Sequence, residues 1–170
     1  MVRLGFNHID LATMNMAATI DFYTNVLGFP VVRSDIVERV TGGYAEHVFF
    51  DAGGGQMIAF AGLEHLPEGS VPENLDTGIN KGLGVREGVY HFAFEAGSEE
   101  ALHELKSTLE ARGVTVRGVE DHEGWCKSIY FKDPNGLQME YCHVVRELTE
   151  DDARPQVRFR VSAKGEKIPI

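Results

Sequence analysis

Two stretches of this chain repeat, and the repeat limits the fold more than any single motif does. Asn7-His8-Ile9-Asp10-Leu11 and Tyr90-His91-Phe92-Ala93-Phe94 are similar apolar runs, with their histidines 83 positions apart. Asp51-Ala-Gly-Gly-Gly-Gln-Met-Ile58 aligns without a gap against Asp133-Pro-Asn-Gly-Leu-Gln-Met-Glu140. Ile58 and Glu140 follow their histidines by 50 and 49 positions. Self-similarity at a fixed period predicts two copies of one supersecondary unit. The four matching positions hold His8, Ile58, His91 and Glu140. Two imidazoles and a carboxylate can ligate a divalent metal, and Ile58 cannot. Three protein ligands leave coordination positions open, which suits a catalytic ion rather than a structural one. Glu140 lies in the apolar run Leu137-Gln-Met-Glu-Tyr-Cys142, where a buried carboxylate without a partner is costly.

Each half has the pattern of a strand, a helix and three strands. In the first half, residues 4–11 alternate as a strand does. Met16 to Leu27 carries apolar residues at a helical period, with Asn15 as N-cap and Gly28 as terminator. Val31 to Arg33, Tyr44 to Phe50 and Gln56 to Ala61 are strand candidates, separated by glycine turns. The second half predicts a strand over Val89 to Glu95, then a helix capped by Ser98 and stopped at Gly113. Strands follow over Val114 to Val119, Cys126 to Phe131 and Leu137 to Cys142, the last two joined by the Asp133-Pro-Asn-Gly turn. The organisation is α+β: a first module over residues 1–61, a linker or flap over 62–87, a second module over 88–145 and a C-terminal arm over 146–170.

With 16 basic and 26 acidic residues, the formal charge is −10. Nucleic acid and anionic membrane are therefore poor partners, because both require clustered Lys and Arg. The start has no signal-peptide h-region, and no apolar run reaches membrane-spanning length. Cys126 and Cys142 form no Cys-x-x-Cys pair, so a reducing cytoplasmic setting is expected. The glycine-rich segments lack the Lys-Ser/Thr of a phosphate loop.

Several features together resemble the vicinal oxygen chelate superfamily. They are the repeat, the His at each first strand, Asp21-Phe-Tyr-Thr-Asn-Val-Leu-Gly-Phe29, and Tyr130-Phe-Lys-Asp-Pro-Asn-Gly-Leu-Gln-Met-Glu140. That group includes glyoxalase I, type I extradiol dioxygenases, methylmalonyl-CoA epimerase and the fosfomycin- and bleomycin-resistance proteins. The resemblance covers roughly residues 4–145. It implies paired βαβββ modules forming curved mixed sheets around a metal-binding cleft, with His8, His91 and Glu140 as metal ligands. Gln56 competes for the first-module position, since relatives use Gln or Glu there. The gapless alignment instead assigns that position to Ile58 and makes Gln56 a cavity-lining residue.

By the same resemblance, Tyr130, ten residues before Glu140, matches a tyrosine that hydrogen-bonds metal-bound substrate in extradiol enzymes. His122 is similar to a loop histidine near the bound oxygen. Larger extradiol enzymes also carry an acid–base His before the second-module strand, whereas residues 66–90 contain none. His47 and His65 match no such position, which shifts proton handling to His122 or Tyr130. The implied activity is Fe(II)-dependent, extradiol-type cleavage of a catechol-like vicinal diol. One alternative is a Lewis-acid isomerase, lyase or epimerase using Mn, Zn, Ni or Co. The other is a small-molecule binding or resistance protein. The expected partner is a small molecule with adjacent oxygens, and a homodimer is among the assemblies this scaffold forms.

Overall fold

The computed structural model describes residues 5–155 and 157–168. Position 4 of the expected first strand and positions 156, 169 and 170 of the arm lie outside that range. The first module runs β1 (His8–Thr13), α1 (Met16–Asp21), β2 (Val31–Glu38), β3 (Tyr44–Gly53) and β4 (Gln56–Gly62). The linker holds α2 (Ile79–Gly82). The second module runs β5 (Phe92–Glu95), α3 (Glu99–Ala111), β6 (Arg117–His122), β7 (Cys126–Lys132) and β8 (Gln138–Val144). In the arm, β9 (Arg160–Val161) and β10 (Lys167–Ile168) pair as a short antiparallel ribbon.

Both long helices start at the caps the sequence predicts. Asn15 accepts a hydrogen bond from the Ala18 N–H at 3.0 Å, and Ser98 from the Ala101 N–H at 3.1 Å. Such side chains satisfy amide donors that the first helical turn leaves free. The first helix does not stay α-helical to Leu27. It continues as a π-helical turn over Phe22–Val26, with the Leu27 N–H donating to Phe22 O at 2.9 Å.

The sheets are open and mixed, in the orders β1-β4-β3-β2 and β5-β8-β7-β6. β1 runs parallel to β4 and β5 parallel to β8, while the other neighbours are antiparallel. One core joins the modules. The fully buried Tyr23 packs on Phe50 and Phe60 of the first sheet, with ring centroids 5.2 and 4.9 Å away. Its hydroxyl donates to Asp133 Oδ2 of the second module at 3.2 Å. Each such aromatic contributes about 1.5–3 kcal/mol through burial.

The Asp133-Pro-Asn-Gly turn docks on the same helix. Asp133 Oδ1 accepts from the Asn135 and Leu137 N–H groups, each at 2.9 Å, and Asn135 Nδ2 donates to Thr19 Oγ1 at 3.2 Å. Burial raises the Asp133 carboxyl above its ordinary range, and it also lifts the Tyr23 phenol, with the Asp133 charge adding to that shift.

The strand register corrects the gapless alignment. Ala93 lies opposite Glu140 in β5/β8, and Asp10 lies opposite Ala59 in β1/β4. Ala93 and Asp10 each follow their module's histidine by two residues. The first-module equivalent of Glu140 is therefore Ala59, not Ile58. A one-residue slip turns every side chain to the other face of a sheet. Ile58, 2 % exposed, accordingly packs into the shared core with Phe50 and Phe60. The cause is the place of the aspartate: Asp51 still pairs with Met57 in the β3/β4 ladder, whereas Asp133 lies past the last β7/β8 pair, Lys132 with Gln138, inside the turn. Gln56 is exposed at the start of β4.

Candidate metal centre

Strand alternation gives each sheet one face on the core and one face turned from it. On the second sheet, Met139, Tyr141, Ile129 and Phe131 face the core. Glu140 and Tyr130 lie opposite each other on the other face, as do His122 and Cys126. His91, immediately before β5, joins them: its Nε2 lies 3.1 Å from Glu140 Oε2. Glu140 is only 5 % exposed.

The linker braces this histidine. Asn80 donates to Tyr90 O at 2.7 Å and accepts from the Tyr90 N–H at 2.9 Å, which fixes the segment leading into His91. Thr77 Oγ1 donates to Asn135 O at 3.1 Å, and Glu87 pairs with Lys132. Residues 76–90 are thus a crossover pinned to the second module. Gly78 permits the approach, because a Cβ there would come within 3.0 Å of Gly136 O.

The tautomer of His91 is set by its neighbours. Nδ1 lies 3.0 Å from Gly88 O, a carbonyl that can only accept, so Nδ1 carries the proton. A neutral ring then has its lone pair on Nε2, facing the carboxylate. Two acceptors repel at that distance unless a proton or a cation lies between them. His8 has the same orientation: its Nδ1 donates to Asn7 Oδ1 at 2.8 Å and leaves Nε2 free. Metal-ligating histidines are commonly held in this way, by a hydrogen bond from the second ring nitrogen.

His8 itself is exposed on the first sheet, edge-on to Phe49 with ring centroids 5.5 Å apart. The structure brings His91 and Glu140 together and does not bring His8 to them. Among the described residues, no three His, Cys, Asp or Glu side chains cluster to hold a metal ion. The faces carrying His8 and Glu140 are both turned away from the core that joins the sheets.

Tyr130 and His122 are in contact, with Oη 2.9 Å from Nε2. His122 ends β6, opposite Cys126, rather than lying in a loop. The expected sixth strand starts three residues later than the apolar pattern suggested, and it carries a register shift between Arg117 and Glu120. Gly118 allows the shift. Its φ is +107°, and a Cβ there would sit 2.6 Å from Ser128 O. Burial, then the Glu140 charge, pushes the Tyr130 phenol up to about 12, so it remains a hydrogen-bond donor at neutral pH. The Arg117 guanidinium lies 4.6 Å from its ring centroid. Burial, then Cys126 and Glu140, pushes the Cys142 thiol up to about 12, which argues against thiolate chemistry beside the carboxylate.

A model of the Glyoxalase/Bleomycin resistance protein/Dioxygenase superfamily matches residues 5–141. The chain belongs to this superfamily. Solved structures with the same fold include a lactoylglutathione lyase from Agrobacterium tumefaciens. It is 21% identical, with TM-score 0.55, over 82% of this chain and 92% of that one. The fosfomycin resistance protein FosX from Listeria monocytogenes is 22% identical, with TM-score 0.55, over 89% and 98%. The antibiotic binding protein TnmS3 from Streptomyces sp. CB03234 is 16% identical, with TM-score 0.54, over 85% and 98%. Among curated proteins, none matches the sequence. At these identities the likeness is one of fold, and the superfamily carries both enzymes and binding proteins. Among the described residues, no helix is long and apolar enough to cross a membrane.

Sequence reasoning passed over Asp10, Ala59 and Arg117. Asp10 had no apolar or motif signal of its own, and Ala59 was hidden by the one-residue misalignment.

Proposed function

We propose that this protein is a divalent-metal enzyme acting on a small molecule held through two neighbouring oxygens. Its ion is bound by His91 and Glu140 of one copy and by His8 of a second copy. The observation that carries the reading is His91 Nε2 lying 3.1 Å from the buried Glu140 carboxylate, with Nδ1 held by Gly88 O. A cation between these donors relieves their repulsion and the cost of a buried carboxylate. His8, with Nδ1 tied to Asn7, is the third donor, and a second copy would deliver it from its outward face, which supports the shared arrangement. β1 and β5 are both edge strands, with backbone groups open to pairing.

Two imidazoles and a carboxylate suit Fe(II), which when bound supplies open positions for two substrate oxygens and the redox couple that O₂ chemistry needs. The chain's own residues account for the rest. Tyr130, protonated at neutral pH, donates a hydrogen bond to a substrate oxygen on the open side. His122, in contact with the Tyr130 hydroxyl, passes the proton on or returns it. Ala59 contributes no fourth ligand. This set favours extradiol-type opening of a catechol-like ring, with both atoms of O₂ entering the product.

The test is O₂ uptake by anaerobically iron-loaded protein across a catechol panel. Uptake matched by a ring-opened, coloured product supports the reading. Turnover of the Mn²⁺ or Zn²⁺ form without O₂ would transfer the site to Lewis-acid isomerase or lyase chemistry. Tight ligand binding without turnover by any metal form would make the protein a binding module.

A further inference from the structure

The face of the first sheet that carries His8 holds a second polar pair, which no part of the reading above uses. His47 on β3 and Asp10 on β1 approach one another across the intervening β4, with Nε2 of His47 3.2 Å from Asp10 Oδ1. Strands two places apart are about 9.5 Å from each other, so their side chains meet only over small residues. Here Ala59 lies opposite Asp10, and Ala61 lies opposite His47. Ala59 is fully buried beneath the pair. Larger residues at these two positions would hold the imidazole and carboxylate apart.

The pair is not a finished structural contact. His47 Nε2 is shielded from solvent, yet it completes no hydrogen bond within the chain despite the nearby carboxylate. Phe49 joins it to His8, lying 4.4 Å from the His47 ring and 5.5 Å from the His8 ring by centroids. The other charged groups on this face are Asp51 on β3, which accepts from the Gly53 N–H at 2.8 Å, and two on β2: Asp35, opposite His47, and Arg33, opposite Phe49. These two satisfy each other at 2.6 and 2.9 Å. His47 and Asp10 are therefore the groups that this wall offers to a ligand.

We propose that His47, oriented by Asp10, is a substrate-contacting residue of the metal site, accepting a hydrogen bond from the hydroxyl that a singly ionised, bound diol retains. The proposal rests on the function proposed above. When His8 of one copy reaches the His91–Glu140 pair of another, its whole sheet face comes with it. His47 then lines the wall opposite Tyr130 and His122. Asp10 acts through His47 as a positioning residue: a carboxylate near Nε2 favours the proton on that nitrogen and leaves Nδ1 as the acceptor. The pair thus supplies from β1 and β3 the polar function that Ala59 lacks on β4.

The test uses 4-nitrocatechol, whose visible spectrum changes when it ionises on chelation. Metal-loaded wild type, His47→Ala, His47→Gln, Asp10→Asn and Glu140→Ala are titrated anaerobically after their metal content is measured. His47→Ala should retain wild-type metal content and bind the probe about tenfold more weakly, the loss expected for one hydrogen bond to an ionising group. His47→Gln should recover part of that loss, and Asp10→Asn should fall between wild type and His47→Ala. A His47→Ala protein with wild-type affinity and spectrum, while Glu140→Ala loses the probe, would overturn the role of His47 alone. Metal-loaded wild type that binds no 4-nitrocatechol would overturn the vicinal-diol reading and this proposal together.

Discussion

A carboxylate introduced at position 58 should behave very differently from one introduced at position 59. Ile58 is 2 % exposed and packs with Phe50 and Phe60 in the core. Ile58→Glu gives up about 1.5–3 kcal/mol of apolar burial. The new carboxyl has no partner there and must be protonated to stay inside. Holding a group of ordinary pKa near 4.3 neutral at pH 7 costs about 3.7 kcal/mol. The combined loss, roughly 5–7 kcal/mol, is comparable to the whole stability of a domain this size. Ala59→Glu projects instead onto the face where its second-module equivalent, Glu140, already resides at 5 % exposure. There it would displace the His47–Asp10 contact that passes over Ala59, but it has an imidazole within reach, so its cost should be smaller than that of Ile58→Glu.

Urea unfolding followed by circular dichroism at pH 7 and pH 5 separates the cases. Burial raises the introduced acid's folded pKa above its unfolded value, so its cost must shrink as pH falls. Ile58→Glu should therefore recover much of its deficit at pH 5, and at pH 7 it should be clearly the less stable of the two variants. A stable Ile58→Glu together with an unfolded Ala59→Glu would refute the strand register.

Three further outcomes follow from the same geometry. Tyr23→Phe removes a buried donor to Asp133 and should lower stability by about 1–3 kcal/mol in chemical denaturation. Because burial raises the Asp133 carboxyl above its ordinary 3.8, the stability it contributes is present below that value and lost as pH rises through the folded pKa. Wild type should thus lose ground to Asp133→Asn as pH rises from about 4 through the folded pKa, and parallel pH curves for the two would contradict the shift. Tyr130→Phe should keep its metal content by elemental analysis and lose turnover by about 10²–10⁴-fold, as expected for a proton-handling group. Loss of metal from that variant would mean the phenol supports the ligands rather than the substrate.

The sequence carried the architecture because its signals were local. Asn15 and Ser98 mark helix starts through their own side chains, and Asp133-Pro-Asn-Gly fixes its turn. The paired histidines and Glu140 were visible through the repeat. The register was not, because the glycine triplet and the Asp133 turn pair their strands differently while their letters align. The start of β6 was missed because Val114 and Val116 are apolar for packing against the core, while strand pairing begins only at Arg117. The His47–Asp10 contact joins residues 37 positions apart over two alanines, a juxtaposition set by strand order rather than by any motif.

The proposed metal site is shared between copies, and mixing two defective proteins tests it directly. His8→Ala and Glu140→Ala should each bind little metal alone. Unfolded together, refolded as a mixture and analysed as a purified dimer, they should recover about a quarter of the wild-type metal. Half of randomly paired dimers are mixed, and each mixed dimer regains one of its two sites. Recovery near that fraction is the predicted result. No recovery from a mixture shown to contain mixed dimers, or full metal occupancy in a monomeric wild type, would contradict the shared site.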